Sequence, residues 1–210
     1  KLGILLSVLA IQFCAPLADA RENHAILIGV SRYETLEEQY WLNGPKNDVQ
    51  LAYHYLTTAA NPAFKPENIR ILADGVDGAE LPTLSSIRNS FAALAEKVED
   101  GDFVYLHFAG HGTQAPALKD QEELDGLDEV FLPIDIGLWS DTVGTVENGL
   151  VDDEIGAFLD KLTTKGVDVW VVFDTCHSGT ATRAAPVFED QIRLRKLAPK
   201  ALGVPPEVLS

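Results

Sequence analysis

Two side chains that can form a nucleophile–base pair stand 65 positions apart, each just beyond an apolar run. His111 sits in Ala109-Gly110-His111-Gly112, and Cys176 in Asp174-Thr175-Cys176-His177-Ser178-Gly179. In such a pair the thiolate attacks a carbonyl carbon, and the imidazole supplies the proton to the leaving amine. The flanking glycines let backbone approach a substrate and turn sharply without a Cβ penalty. The backbone N–H groups of Gly112 and Cys176 are the candidate donors to the developing oxyanion, an interaction that lowers a barrier by a few kcal/mol. Each loop alone has an ordinary structural explanation, a turn histidine in one case and a buried small hydrophobe in the other. What argues for chemistry is that both fall at strand ends.

The hydrophobic pattern supplies those strands. Apolar runs at 24–30, 69–72, 102–108 and 167–173 predict strands, with a shorter one at 130–133. Helices are predicted over 48–58, opened by Asn47 or Asp48, and over 84–98, capped by Thr83 with Leu84, Ile87, Phe91, Leu94 and Val98 on one face. A third covers 151–162, with Val151, Ile155, Phe158, Leu159 and Leu162 on its stripe. Alternating strands and helices imply an α/β fold with a mostly parallel central sheet and helices on both faces. Sites in such sheets form beyond the carboxyl ends of the strands, where both loops lie. Residues 114–149, acidic and Gly-rich, predict one long irregular loop flanking the site. The last residues are Pro-rich, with a basic patch at Arg193, Arg195 and Lys196 and no strand signal.

Composition narrows the function classes. The 210 residues hold 16 Lys+Arg against 32 Asp+Glu, a formal charge of −16, with 46% hydrophobic and 23% charged residues. This is a globular balance, sufficient to bury roughly 70% of the unfolded surface. Nucleic acid and anionic lipid are disfavoured, because both need cationic surface. Cationic peptides suit an acidic protein. At the N-terminus, Lys1, an apolar run over 2–13 and Ala18-Asp19-Ala20 have the layout of a secretory signal peptide cleaved near Ala20. A membrane anchor would need about 20 apolar residues, and Gln12 and Pro16 interrupt the run, so no stable span is expected after cleavage. An exported protein, periplasmic or extracellular, is the expectation. Cys14 would leave with the signal, so Cys176, the other of two cysteines, would remain without an intrachain disulfide partner, either buried or reactive. The absence of Met is read as a missing initiator.

These blocks together resemble a known family. The pair AGHGT and DTCHSG, the strand AILIGV, Leu42-Asn43-Gly44 with Asn47-Asp48, Asp125-Gly126 with Asp128-Glu129, and Asp152-Asp153-Glu154 occur in an order similar to that of the caspase-like cysteine peptidases, specifically their bacterial metacaspase branch. The resemblance covers 24–182. It implies a caspase-like three-layer sandwich, so that behind the signal peptide of 1–20 the chain reads as a large-subunit catalytic domain over 21–185 and, over 186–210, a Pro-rich tail or the start of a truncated C-terminal region. It further implies a cysteine endopeptidase with His111 and Cys176 as its dyad and protein or peptide substrates carrying basic residues. No cofactor is required by that chemistry.

The resemblance also speaks to specificity. Caspases place Gln-Ala before the cysteine and an arginine near the first loop to receive aspartate, whereas Asp174 and Leu42 stand in those positions here. Metacaspases place an acid two residues before the cysteine to pair with substrate Arg or Lys, which implies substrate binding by Asp174 and, as the second pocket acid, Asp48. Asp48 also has a plainer role open to it, capping the helix that follows. Asp152 and Asp153 match a calcium-binding pair of some members, with calcium as an activator, and equally suit the N-terminus of a helix. Pro45 and Ala109 replace a cysteine and a serine of the family pattern, and Arg183 stands where a further acid is expected. The alternative function is a caspase-fold binding or scaffold protein without turnover. An unrelated hydrolase or metal-binding domain finds no G-x-S-x-G elbow and no clustered His/Cys ligands.

Overall fold

A computed structural model describes residues 21–117, 126–175 and 195–209. The expected signal peptide, Asp125, Cys176 and Arg183 lie outside the described residues.

The most continuous apolar segments form the middle of the sheet. Strand β1 (Asn23–Gly29) pairs in parallel with β2 (Ile69–Ala73) on one side and β3 (Phe103–Ala109) on the other, and β3 pairs in parallel with β9 (Asp168–Asp174). The order is therefore β2-β1-β3-β9. Parallel strands covered on both faces tolerate no polar alternation, which is why NHAILIG and FVYLHFA read as unbroken runs. The two faces of β1 enter different cores. Ala25 and Leu27 pack with Val49 and Leu56 of α1 (Pro45–Thr58), whereas Ile26 and Ile28 pack with the helices α2 (Leu84–Lys97) and α3 (Asp152–Thr164). Helix, sheet and helix make the expected three-layer sandwich. Among the described residues no helix is long and apolar enough to cross a membrane.

Two sequence expectations about helix starts meet different fates. Thr83 does cap α2, its hydroxyl accepting the Ser86 N–H at 3.1 Å. Neither Asn47 nor Asp48 caps α1: the helix begins earlier, with Gly44 before it and Pro45 in its first turn. Proline is suited to that place because its ring presets a helical φ and the missing N–H is one that lacks a helical partner anyway. Asp48 is thus inside the helix, with its side chain free for other work.

The expectation of one long irregular loop over 114–149 is overturned. Strand β4 (Gly112–Pro116) pairs antiparallel with β5 (Leu127–Phe131), which pairs with β8 (Leu150–Val151), and β6 (Trp139–Ser140) forms a hairpin with β7 (Thr145–Val146). Two-residue strands leave no periodicity to read. Their stability comes instead from burial of Ala115, Val130, Phe131, Val146 and Leu150 against the sheet. The chain after 195 is also packed: Leu197, Leu202 and Val204 are buried in the same core.

Candidate active site

The register places the ends of the two strands that lead into these loops side by side. Ala109, the last residue of β3, lies opposite Asp174, the last residue of β9, and adjacent strands are about 4.8 Å apart. His111 follows Ala109 by two positions, and Cys176 follows Asp174 by two. Cys176 itself, the predicted nucleophile, lies outside the described residues.

The histidine loop is built by contacts on every side. Val30 N–H donates to the Ala109 carbonyl at 2.9 Å, and Leu132 N–H donates to the His111 carbonyl at 3.0 Å. The His111 N–H donates to the hydroxyl of Tyr33 at 2.8 Å, and that tyrosine is fully buried. Gly110 leaves room for this: a Cβ there would stand 3.0 Å from the Tyr33 hydroxyl and 3.2 Å from the Phe131 ring. The imidazole, 2% exposed, has Nε2 at 2.6 Å from the Tyr40 carbonyl oxygen and Nδ1 at 3.0 Å from the Arg195 carbonyl oxygen. A carbonyl only accepts, and a neutral imidazole carries one N–H. Burial lowers the His111 pKa below its ordinary value, against the opposing pull of these two carbonyls, and Arg195 lowers it further. The neutral ring can therefore meet only one of the two carbonyls with an N–H, whereas the imidazolium would donate to both.

Asp174 and Asp48, predicted from separate motifs, are brought together by a third residue. One guanidinium nitrogen of Arg195, Nη2, lies 2.6 Å from Asp48 Oδ2, and the other, Nη1, lies 2.6 Å from Asp174 Oδ2 and donates to the Asp174 carbonyl at 2.7 Å. The arginine side chain is 17% exposed, so these contacts are poorly screened. Gly44 forms part of the wall: a Cβ there would stand 2.5 Å from Arg195 Nη2. Beneath, on the same face of β3 as Ala109, buried His107 pairs through Nδ1 with the Tyr105 hydroxyl at 3.1 Å. Burial lowers its pKa, while Asp174 and Asp48 pull it up and Arg195 pushes it down.

Gly112, predicted to be an oxyanion donor, gives its N–H to the Arg195 carbonyl at 3.0 Å. The same carbonyl oxygen thus meets Gly112 N–H and His111 Nδ1 while its side chain fills the acidic pair. Downstream the chain stays paired to β4: Leu197 N–H donates to the Gly112 carbonyl at 2.9 Å, and Thr113 Oγ1 donates to the Leu197 carbonyl at 2.9 Å. Sequence reasoning missed Arg195, Tyr33 and Tyr40. The first left a signal, a basic patch in an acidic chain. The two tyrosines left none.

Asp152 and Asp153 are not drawn into this site. They stand exposed in the first turn of α3, on the sheet face opposite α1, where carboxylates meet the positive end of the helix dipole. Among the described residues no group of three or more His, Cys, Asp and Glu side chains gathers to hold a metal ion. Calcium takes roughly six to eight oxygens, more than Asp152 and Asp153 supply by themselves, and no step is assigned to it.

Comparison with known proteins decides the family. The model of the metacaspase, peptidase C14 domain matches residues 23–185. The chain belongs to the metacaspase family. Metacaspase-4 of Arabidopsis thaliana is 33% identical over 155 residues, which cover 74% of this chain and 33% of that protein. Metacaspase-1B of Aspergillus terreus is 32% identical over 168 residues, 80% of this chain and 41% of that protein. The crystal structure of protein GSU0716 from Geobacter sulfurreducens superposes with a TM-score of 0.58 at 25% identity, covering 86% of this chain and 59% of that one. The resemblance read from the sequence is thereby borne out. This metacaspase domain spans only about a third to two-fifths of the curated relatives it matches.

Proposed function

We propose that this metacaspase domain carries the site of a cysteine endopeptidase that cleaves peptide bonds after Arg or Lys. The observation that supports the reading is the seat of Arg195, whose guanidinium lies between Asp48 and Asp174 while its carbonyl oxygen meets the Gly112 N–H. A substrate residue in that position would set its carbonyl oxygen on the Gly112 N–H, one of the two proposed oxyanion donors. Cys176 is the nucleophile. His111, held by the Tyr40 carbonyl through Nε2, takes the thiol proton on Nδ1 and returns it to the leaving amine. Gly112 and Cys176 N–H groups receive the oxyanion, which strengthens as the tetrahedral intermediate forms.

Specificity follows from charge. A guanidinium between two carboxylates gains charge-assisted hydrogen bonds worth roughly 1.5–3 kcal/mol each, and a substrate aspartate would be repelled. Arginine can engage both acids at once, whereas lysine offers a point charge, so arginine is preferred. The chemistry is tested by labelling with a peptidyl-arginine chloromethyl ketone. One covalent adduct on Cys176, lost in Cys176→Ala, supports it; a protein that cleaves arginyl peptides yet forms no adduct on Cys176 contradicts it. Export is a further part of the proposal, tested by N-terminal sequencing of the secreted protein for a start at Arg21.

A further inference from the structure

The last residues of the four parallel strands, Ala73, Gly29, Ala109 and Asp174, stand in one row across the sheet. Next to this row lies a carboxylate that the proposed chemistry leaves unused. Asp74 follows β2 directly and is buried, and its Oδ1 accepts the Ser31 N–H at 2.6 Å, a short contact of the kind a charged acceptor makes. Ser31 in turn closes a loop: its carbonyl accepts the Leu42 N–H at 2.8 Å, so residues 31–42 form an arc with Asp74 at its neck. From that arc come two contacts of His111. The Tyr33 hydroxyl accepts the His111 N–H, and the Tyr40 carbonyl oxygen lies 2.6 Å from His111 Nε2. We infer that Asp74 is a positioning residue for the peptidase, pinning the neck of the arc so that the Tyr40 carbonyl stays aimed at the His111 ring. The inference rests on the reading of His111 as the group that carries the proton.

A backbone carbonyl is placed only as well as the chain that carries it. Tyr40 ends a single 3₁₀ turn, Glu38–Tyr40, which has no buried side chain, so its position is set from the ends of the arc. Leu36 is buried on one side of the turn and Leu42 on the other, and Leu42 is tied to Ser31. The acids of the pocket are anchored elsewhere. Asp174 ends β9, and Asp48 belongs to α1, whose Val49 is buried with Ala25 and Leu27. Loss of the Asp74 contact therefore disturbs the imidazole and spares the pocket, which is an effect on kcat and not on KM. It has a second signature. Burial lowers the His111 pKa, and the Tyr40 carbonyl is first among the contacts that oppose it. Arg195, the charged group acting on the ring, stays in place, as does buried Tyr33. A retreating Tyr40 carbonyl thus lowers the His111 pKa further and moves the acid limb of kcat to lower pH.

The test compares the unaltered protein with Asp74→Ala and Asp74→Asn on an arginyl fluorogenic peptide, with kcat and KM followed against pH. Asp74→Ala should lower kcat about tenfold or more, the order expected when a catalytic group is slightly misplaced, with KM changed by less than about twofold and the acid limb at lower pH. Asp74→Asn keeps an oxygen acceptor without the charge and should fall between the other two. Should Asp74→Ala not fold, Asp74→Ser takes its place, because its hydroxyl ends one bond short of the Ser31 N–H. Equal kcat and equal acid limbs in all the proteins overturn the inference, as does a loss carried by KM alone or a loss in Asp74→Asn as large as in Asp74→Ala. If the unaltered protein cleaves no basic peptide, the peptidase reading has failed and takes the inference with it, a result distinguishable from equal variants of an active enzyme.

Discussion

The two halves of the site are built differently. The histidine half stands at the end of β3, a central strand paired on both sides, with its loop fixed by Val30, Tyr33, Tyr40 and Leu132. The acidic half stands at the end of β9, the edge of the sheet among the described residues, where Trp170 is 62% exposed and the Asp174 side chain 47% exposed. Asp174 and Asp48 come from different elements and are drawn together by a guanidinium, with Asp48 supplied by α1. On the proposed reading, the fold preorganises proton transfer and leaves cation recognition to be assembled around a charge. Pre-set geometry matters most for a group whose lone pair must aim at one atom, and least for a pocket that works through charge.

The comparison breaks first where the effects are largest. His111→Ala should lower turnover of an arginyl peptide by about 10³-fold or more, with no rescue by any change in the acidic half; turnover within tenfold of the unaltered protein would remove the proton-transfer role. Asp174→Asn should lower kcat/KM for arginyl peptides roughly 10- to 100-fold, as loss of a charge-assisted contact implies. Its thermal midpoint should barely move, because the side chain is half exposed. Tyr33→Phe should do the reverse. It strips the buried acceptor from the His111 N–H, at a cost of about 1–3 kcal/mol in stability, visible as a lowered midpoint in thermal unfolding. If Asp174→Asn melts the protein as much as Tyr33→Phe does, the division between a rigid and an assembled half is wrong.

A smaller, graded effect comes from pH. Burial is the largest cause that lowers the pKa of His111, His107 and His24 alike. The unfolded chain then binds protons that the folded protein refuses, so stability rises with pH in that window. Full stability is expected above the ordinary histidine value of about 6.5, with progressive loss as pH falls below it towards the lowered folded values. Denaturant titrations at pH 7.5 and 5.5 should place the midpoint lower at 5.5. The acid limb of activity should likewise lie below 6.5, since His111 must be neutral to accept the thiol proton.

How much of this the sequence disclosed depends on what kind of force made each part. The four central strands are apolar runs because both of their faces are buried, and that pattern survives in the sequence. His111, Gly112, Asp174 and Asp48 announced themselves through glycine-flanked loops and a family resemblance, and all four meet at one sheet end. Of the antiparallel additions at 112–151 only the run at 130–133, which overlaps β5, did so, because a two-residue strand such as Leu150–Val151 is made by its neighbours and carries no period of its own. Arg195 was hidden for a related reason. Its surroundings are Pro-rich and polar, and only tertiary packing of Leu197, Leu202 and Val204 brings it to the pocket. Tyr33 acts through one hydroxyl on a backbone N–H 78 positions away, a contact that no local pattern encodes.

The most direct test of the central claim is hydrolysis of three fluorogenic peptides that differ only in ending with Arg, Lys or Asp, by the protein and by Asp174→Asn, with and without calcium. The account predicts cleavage after Arg above Lys, none after Asp, and a selective loss of the basic activity in the variant. Cleavage after Asp, or basic activity unaltered in Asp174→Asn, would contradict it.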